Sequence, residues 1–393
     1  MPVASRREVG QRIATIRRSR RMTQADLARA AFVSLATVKG IERGVRSPSD
    51  DTLDSISTAL NVDSSRIVVG SSRTDSRVHA ALPEISAAIA AYEIPADTNP
   101  RPLDELAEDI GYLVQWRLAA QYARIAEHAP HRLTESLVAL HHANGAEQLH
   151  AARLLAVVAR SADAVAYKFG ALDLSARLVE LMRWAADQTE SRIVQATAAY
   201  VRTETFLAAR AHTQGLRALE QAIDACPSPL DTVSTAARGA LHMRAAVIAG
   251  RSGDMDAVAL HLDEARALGD TVPEAAYDGT QFGPDSVRAH EVSVAVSLGQ
   301  EHLHRALDIA DEWTPPDRLP EERQSGFWIE LARAQVWASR PDNAFESLKV
   351  ARFIAPQHTR EHPWAREAAA TIRRLKRADA DSLTSFTEWI GAV

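Results

Sequence analysis

The stretch TQADLARAAFVSLATVKGIERGVRSP, residues 23–48, decides the fold of the N-terminal part of the chain. It predicts two short helices joined by a tight turn. Thr23 is a favourable N-cap, and Asp26 follows three residues later in the manner of a capping box. Ser34 offers a second N-cap, and Gly44 can take the left-handed backbone that ends a helix. Two capped helices this close together must cross at a steep angle, so the second one projects from the surface.

This pattern resembles the Cro/C1-type (XRE) helix-turn-helix family. The residues that carry the resemblance are Thr23-Gln24, Leu27-Ala28, Val33-Ser34, Val38, Glu42, Gly44 and Pro48. The family usually has Gly in the turn, where this chain has Phe32. Because Phe takes a left-handed conformation only at a cost, we expect a slightly different turn, with Phe32 packed inward. The resemblance implies a DNA-binding head of five helices.

The flanking segments predict the other three helices of the head. A first helix is expected over residues 8–20, a fourth after Pro48 and a fifth from Asp63. Their buried faces are assigned to Val9, Ile13, Ile16, Leu53, Ile56, Leu60, Ile67 and Val68. By resemblance to the family, Arg17 pairs with Glu42 and clamps the first helix onto the recognition helix. Removing one partner of such a buried pair strongly destabilises the fold.

The composition favours helices and excludes several classes of protein. The 393 residues are 46% hydrophobic but only 5% aromatic, which favours helices packed through small residues. The single cysteine, Cys226, excludes an intrachain disulfide and a cysteine-based zinc site. We see no signal peptide and no apolar run long enough to span a membrane. We therefore expect a soluble, cytoplasmic protein with no membrane partner.

Charge is distributed unevenly along the chain. The net charge is −6, yet residues 1–50 carry 11 Arg and Lys against 4 Asp and Glu. A basic end on an acidic body is typical of a protein that meets a polyanion with one end. Together with the motif, this asymmetry predicts double-stranded DNA as a partner.

The remainder of the chain reads as helix after helix. Residues 1–70 form the expected head, residues 71–102 a linker and connecting helix, and residues 103–393 a body of partial repeats similar to the tetratricopeptide (TPR) motif. The repeat residues are Trp328, Leu331, Ala332, Ala344, Leu348, Ala351 and Pro356, with second-helix matches at Gly215, Leu219, Ala222, Pro227, Val258, Leu262 and Ala265. We predict an all-α fold: a five-helix Cro/C1-type head followed by a TPR-like α-solenoid.

The spacing between the repeats varies, so the sequence gives a range for their number. We expect about five to seven helix pairs, with extended joints at residues 269–284 and 315–320. An irregular all-α bundle is the alternative. The overall plan resembles a group of actinobacterial regulators.

The family pattern, carried over position by position, implies a DNA-reading surface. Base edges would face Leu35, Ala36, Thr37 and Gly40, and phosphates would face Gln24, Lys39, Arg43 and Arg46. Because these base-facing side chains are apolar or small, contact with thymine methyl groups and a hydroxyl hydrogen bond are expected. Gly40 either permits a close approach of the backbone or has drifted neutrally. A homodimer on a two-fold operator is expected.

Three functions for the body compete. It is a sensor that binds a peptide or small-molecule effector, a dimerisation and docking scaffold without a small ligand, or an enzyme. As a sensor, the body would resemble the Gram-positive peptide-responsive regulators, which clamp the peptide backbone with Asn side chains. This body is poor in Asn, because Asn144 and Asn343 are its only two past residue 102. By repeat position, the effector pocket would be lined by Tyr200, Glu204, Met243 and Arg333.

The sequence argues against the enzyme. It contains no Gly-rich phosphate loop, no Gly-x-Ser-x-Gly and no His-Glu-x-x-His motif, and we expect no cofactor. The spacing of the histidines between His128 and His150 does not place three of them on one helical face with a carboxylate, so no metal site is expected. Cys226 is expected to be an ordinary filler at a helix end.

Overall fold

The computed structural model describes residues 6–20, 22–60, 62, 67, 73–375 and 381–392. The chain divides into two compact units, Met1–Ser76 with Thr387–Val393, and Arg77–Phe386. We call the first unit the head and the second the body. The described head helices are α1 (Arg6–Ser19), α2 (Gln24–Ala30), α3 (Leu35–Glu42) and α4 (Asp50–Ala59).

The core of the head is formed by the apolar faces that the sequence predicts. Its buried members are Val9, Ile13, Leu27, Ala28, Ala31, Val38, Ile41, Ile56, Leu60 and Ile67. Val38 and Ile41 of α3 are fully buried, so one face of this helix is anchored in the core. The predicted fifth helix from Asp63, and Val68 with it, lie outside the described residues, apart from Ile67.

A close approach between α1 and α3 depends on Gly10. A Cβ atom at this position would lie 2.0 Å from the carbonyl oxygen of Ile41. Any side chain at Gly10 would therefore push the two helices apart. The head packs its projecting helix directly against the backbone of α1.

The body is a solenoid of paired helices. Its elements are α5 (Arg73–Ala90, reaching into the head's range), α6 (Leu103–Leu118), α7 (Tyr122–His142), α8 (Ala146–Lys168), α9 (Leu172–Gln188), α10 (Arg192–Ala208), α11 (His212–Ala225), α12 (Thr232–Ser252), α13 (Met255–Gly269), β1 (Ala275–Tyr277), β2 (Thr280–Phe282), α14 (Pro284–Leu298), α15 (Leu303–Glu312), α16 (Glu321–Trp337), α17 (Pro341–Ile354), α18 (Pro356–Glu361), α19 (Pro363–Leu375) and α20 (Asp381–Ile390, whose last four residues fall in the head's range). Between α6 and α17 the described chain forms six pairs, and the first helix of each pair packs on the first helix of the next. This arrangement is a TPR-like solenoid.

The helix pairs are longer than those of a standard TPR. A left-handed residue ends the first helix of each pair, at Ala120, Gly170, Arg210, Gly253, Gly299 and Ser339. These turns recur roughly every 40 to 50 residues, against about 34 in a TPR. The longer period is why the TPR pattern fits the sequence only in part.

The predicted extended joint at residues 269–284 is in fact a β-hairpin. The strands pair antiparallel, Ala275 opposite Phe282 and Tyr277 opposite Thr280. The buried ring of Phe282 occupies the space beside Gly239 of α12, where a Cβ atom would lie 2.0 Å from the ring. In the described parts of the chain, this hairpin is the only β-structure in an otherwise all-α fold.

The last helix pairs of the body curve back to its first ones. The hydroxyl of Tyr122 lies 3.4 Å from a carboxylate oxygen of Glu322, and the amide of Ala123 donates to the side-chain oxygen of Gln357 at 3.0 Å. Lys168 pairs with Glu322 at 3.1 Å. These contacts close the solenoid around its central space.

Replacing Gly10 by Ala should destabilise the head by about 1–3 kcal/mol, because the added methyl group has no room beside Ile41. Gly40→Ala is the matched control within the head. Its Cβ would lie 3.6 Å from the nearest atom, a normal contact, and should stabilise α3 by up to about 1 kcal/mol. Thermal melting monitored by circular dichroism compares the two. Equal melting temperatures would show that α1 and α3 do not need this close approach.

Candidate DNA-binding surface and central cavity

Caps at both motif helices set the position of α3. The Thr23 hydroxyl accepts from the amide of Asp26, whose carboxylate accepts from the Thr23 amide, so the predicted capping box is present. The Ser34 hydroxyl accepts from the amide of Thr37 at 3.0 Å and caps α3. Gly44 has a φ of 71°, the left-handed conformation expected where this helix ends.

A buried ion pair clamps α3 onto α1. The Arg17 guanidinium donates to both carboxylate oxygens of Glu42, at 2.6 and 2.9 Å, and to the carbonyl oxygen of Met22 at 2.7 Å. Burial acts to raise the pKa of Glu42, but hydrogen bonds from Arg17 and Gln24 outweigh it, and the pKa lies below its ordinary value. The pair that the family resemblance implied is therefore formed.

Gln24 has an internal partner as well as its predicted role. Its amide nitrogen donates to the Glu42 carboxylate at 2.6 Å. A side-chain amide carries two N–H donors, so a second one is left for a phosphate. Gln24 thus couples the start of α2 to the end of α3.

The predicted base-reading residues lie on the N-terminal half of α3. Leu35 is 39% exposed, Ala36 is exposed, and Thr37 and Gly40 are half-buried. The Thr37 hydroxyl lies 2.8 Å from that of Ser34. Within the helix, Ala36 and Gly40 lie on the side opposite the buried Val38, and Leu35 and Thr37 flank them.

The three predicted phosphate-binding cations lie at the end of the same helix and just beyond it. Lys39, Arg43 and Arg46 are all exposed. Arg43 donates through Nε to the carbonyl oxygen of Lys39 at 3.1 Å. These cations and the base-facing residues come from a stretch of only twelve positions.

The prediction that Phe32 packs inward is wrong. Phe32 has a φ of 53° and is 97% exposed. It takes the left-handed position that the family fills with Gly. The turn keeps its geometry, and the ring points to solvent while the neighbouring Ala31 and Val33 pack on the core.

The first helices of the pairs surround a central cavity of about 990 Å³ in the body. Its wall comes mainly from α6, α8, α10, α12, α14 and α16, with Gly279 at the tip of the hairpin. Its charged and titratable residues are Arg117, Arg160, Asp163, Tyr167, Lys168, Tyr200, Glu204, Arg210, His212, Arg244, Arg251, His290, Glu322, Arg323, Glu330, His358, Glu361, His362 and Arg366. Ligand sites for small molecules commonly reach this volume.

Tyr200 stands among several of these cations. Arg244 lies over its ring at 4.6 Å from the centroid and pairs with Glu204 at 3.0 Å. Arg323 lies 3.4 Å from the Tyr200 hydroxyl. Burial acts to raise the pKa of Tyr200, but the charges of Arg244 and Arg323 outweigh it and lower the pKa to about 8.

Two carboxyl groups on the cavity wall have raised pKa values. Burial, followed by the charge of Glu204, raises the pKa of Asp163 well above its ordinary value. Burial also raises the pKa of Glu330 to about 7, against a hydrogen bond from Ser293. Around neutral pH the cavity therefore carries fewer negative charges than its count of carboxyl groups suggests.

The structure separates the four residues predicted for the effector pocket. Tyr200 and Glu204 lie on the cavity wall. Met243 does not, because it is fully buried in the core of α12. Arg333 is also absent from the wall, since its guanidinium stacks over Trp337 and Trp364 at 4.6 and 4.4 Å. All four residues belong to helices that line the cavity, but only Tyr200 and Glu204 are on the side of the helix that faces it.

Arg117 and Arg160 are wall residues that the sequence reading missed. Both contact the hairpin tip, which is more than one hundred residues away in sequence. The dipeptide Asp278-Gly279 between β-prone residues is a signal for a hairpin turn and could have revealed the hairpin. Nothing in the sequence links that turn to either arginine.

The other features that could mark a site are clustered metal-ligating side chains, a reactive cysteine and a membrane-spanning helix. Across residues 6–375 and 381–392, wherever described, no three His, Cys, Asp or Glu side chains are arranged to hold a metal ion. Cys226 caps the end of α11 in a buried position, and burial raises the pKa of its thiol. None of the described helices is both long and apolar enough to cross a membrane.

Comparisons with known proteins match the head. Residues 13–67 match the family described as helix-turn-helix. Over 60 residues, 15% of this chain, the sequence is 43% identical to the immunity repressor protein of Bacillus phage phi105. The chain spans 42% of that relative's length. Residues 13–67 are thus a helix-turn-helix domain.

Solved structures resemble the chain only distantly. PlcR of Bacillus thuringiensis, in complex with the peptide PapR7 and DNA, aligns with 67% of this chain and 95% of its own, at 14% identity and a TM-score of 0.30. A mutant of PrgX aligns with 97% of this chain and 99% of its own, at 10% identity and a TM-score of 0.24.

The Glu42→Gln variant should lose about 3 kcal/mol of head stability, because Arg17 keeps a buried charge without its partner. The folded-state pKa of Glu42 is depressed, so the pair stabilises the native head above about pH 4.5 and this stability is lost as the pH falls through the lower folded value. The variant should lack that acid-dependent loss. Melting curves across this pH range test both points, and identical curves for the two proteins would contradict the clamp.

Proposed function

We propose that the protein is a sequence-specific, DNA-binding transcriptional regulator. The helix-turn-helix match over residues 13–67 carries this proposal. The geometry supports it, because Val38 and Ile41 anchor α3 while its opposite side stays exposed next to three cations. A helix held in this way can enter the major groove with its N-terminal residues leading.

Base reading would rest on Leu35, Ala36, Thr37 and Gly40. Leu35 and Ala36 offer methyl groups to thymine, and the Thr37 hydroxyl can exchange its bond with Ser34 for one to a base. None of these side chains makes the bidentate contacts that Arg gives to guanine or Gln to adenine. Modest discrimination between sequences follows.

Phosphate binding would rest on Gln24, Lys39, Arg43 and Arg46. A helix-turn-helix head makes few contacts alone, so two copies on one operator are needed for useful affinity. We propose a homodimer that reads half-sites about 34 Å apart, or a multiple of that distance. Sedimentation with and without a two-fold operator measures the stoichiometry.

The body is proposed to sense a small-molecule or peptide effector. The central cavity supports this role, because it is large and lined with polar groups, and Tyr200 and Glu204 lie on its wall. Binding there would change how two heads are presented to DNA. A body that serves only for docking, the scaffold alternative, would need no such cavity.

Arg43→Ala and Arg46→Ala should each weaken binding to every DNA sequence about equally. Each lost phosphate contact should reduce the slope of log affinity against log salt by about 0.9. Fluorescence anisotropy over a salt series measures both quantities. Arg192→Ala, at an exposed position in the body, is the control and should leave them unchanged. A changed sequence preference with an unchanged slope would refute the phosphate assignment.

Gly40→Ala distinguishes the two explanations for this glycine. The methyl group fits within the head, so the variant keeps its fold. If the backbone of α3 approaches DNA closely at Gly40, affinity for the operator should fall about tenfold or more while the melting temperature holds or rises. Unchanged affinity would mean that the absence of a side chain serves no purpose in DNA binding.

A further inference from the structure

Two arginines in the central cavity lack any carboxylate partner among the described residues. Arg117 is 6% exposed and Arg160 8% exposed. Arg117 donates to the carbonyl oxygen of Gly279 at 2.6 Å, and Arg160 to the hydroxyl of Thr280 at 2.8 Å. Both partners are neutral. The Nε atom of Arg117 is buried and has no hydrogen-bond partner.

The two guanidinium groups are close neighbours. The position that a Cβ on Gly279 would occupy lies 3.2 Å from a nitrogen of Arg117 and 3.5 Å from one of Arg160. Burial, followed by the charge of Arg117, lowers the pKa of Arg160 to about 9. Like charges in a buried place repel each other and cost free energy unless an anion offsets them.

The nearby carboxylates are already engaged. Glu204 pairs with Arg244 at 3.0 Å and Glu322 with Lys168 at 3.1 Å. Asp163 accepts a hydrogen bond from Ser175 at 2.6 Å, and its raised pKa favours the neutral form. These carboxylates act on the arginine pair only by longer-range attraction, and none of them forms an ion pair with it.

The surroundings of the pair are partly apolar. Arg160 lies over the ring of Tyr200 at 5.8 Å, and the same cavity is lined by Val201, Leu207 and Val247. A cavity of about 990 Å³ is far larger than a lone inorganic anion needs. It suits a molecule with one anionic end and an apolar remainder.

We propose that Arg117 and Arg160 bind the anionic group, a carboxylate or a phosphate, of an amphipathic small molecule. Its apolar part would lie along the apolar wall residues Val201, Leu207 and Val247. This proposal rests on the sensing role proposed above and adds the chemical class of the effector. The planar guanidinium groups suit oxyanions, because each can donate two parallel hydrogen bonds.

Calorimetry with three probes of one chain length tests this site in the full-length protein. Octanoate and octyl phosphate carry the two anionic groups, and octanol is their neutral match. At least one anion should bind at least about tenfold more tightly than octanol, and the tighter of the two identifies the preferred group. Failure of both anions to outcompete octanol would overturn the proposal without any variant.

The variants Arg117→Gln and Arg160→Gln should each weaken binding of the preferred anion about tenfold and leave octanol unchanged. Arg192→Gln, at the exposed start of α10, is the control. Circular dichroism and melting confirm that each variant is folded, and Arg160→Lys, which keeps the charge, should retain part of the affinity. Unaltered anion binding in both Gln variants would place the ligand elsewhere.

Operator affinity measured on the same samples separates this site from the regulator proposal. Anion binding without any DNA binding would refute the regulator and leave the arginine site standing. DNA binding with no preference for the anions would refute the site alone.

Discussion

Close approach between helices, at positions that have no side chain, is the constraint on which both units depend. In the head, Gly10 lets α1 touch the backbone of α3 at Ile41. In the body, Gly215 fits against Ile248, and Gly239 leaves the space that the ring of Phe282 fills. Dispersion forces fall steeply with distance, so packing at this separation contributes more per residue than looser contacts would. An Ala-rich chain with few aromatic residues builds its core in this way.

The two units use buried charge in opposite ways. In the head, Arg17 and Glu42 satisfy each other and help hold α3 in one position. In the body, Arg117 and Arg160 meet only neutral groups of the hairpin tip. A satisfied pair favours a rigid surface, as a helix that reads DNA requires. Two neighbouring buried guanidinium groups without an ion-pair partner offer N–H donors from which an anionic ligand can accept.

The hairpin explains how a regular solenoid acquires a specific cavity. Stacked helix pairs alone produce a curved wall, but its polar groups would be set by the repeat. The insertion between α13 and α14 brings Gly279 and Thr280 to α6 and α8. The closing contacts of Tyr122 with Glu322 and of Lys168 with Glu322 then complete the enclosure. The cavity is therefore shaped by the features that do not follow the repeat, namely the hairpin and the closing contacts.

The sequence by itself determined the local structure: the caps at Thr23 and Ser34, the left-handed Gly44 and the all-α class, because these follow from short-range hydrogen bonds and periodicity. Only the tertiary structure decided which side of each body helix faces the cavity. Met243 shares a helix with Arg244, yet the first is in the core and the second on the wall. A rotation of the helix by one residue exchanges such neighbours, and long-range packing alone determines that rotation.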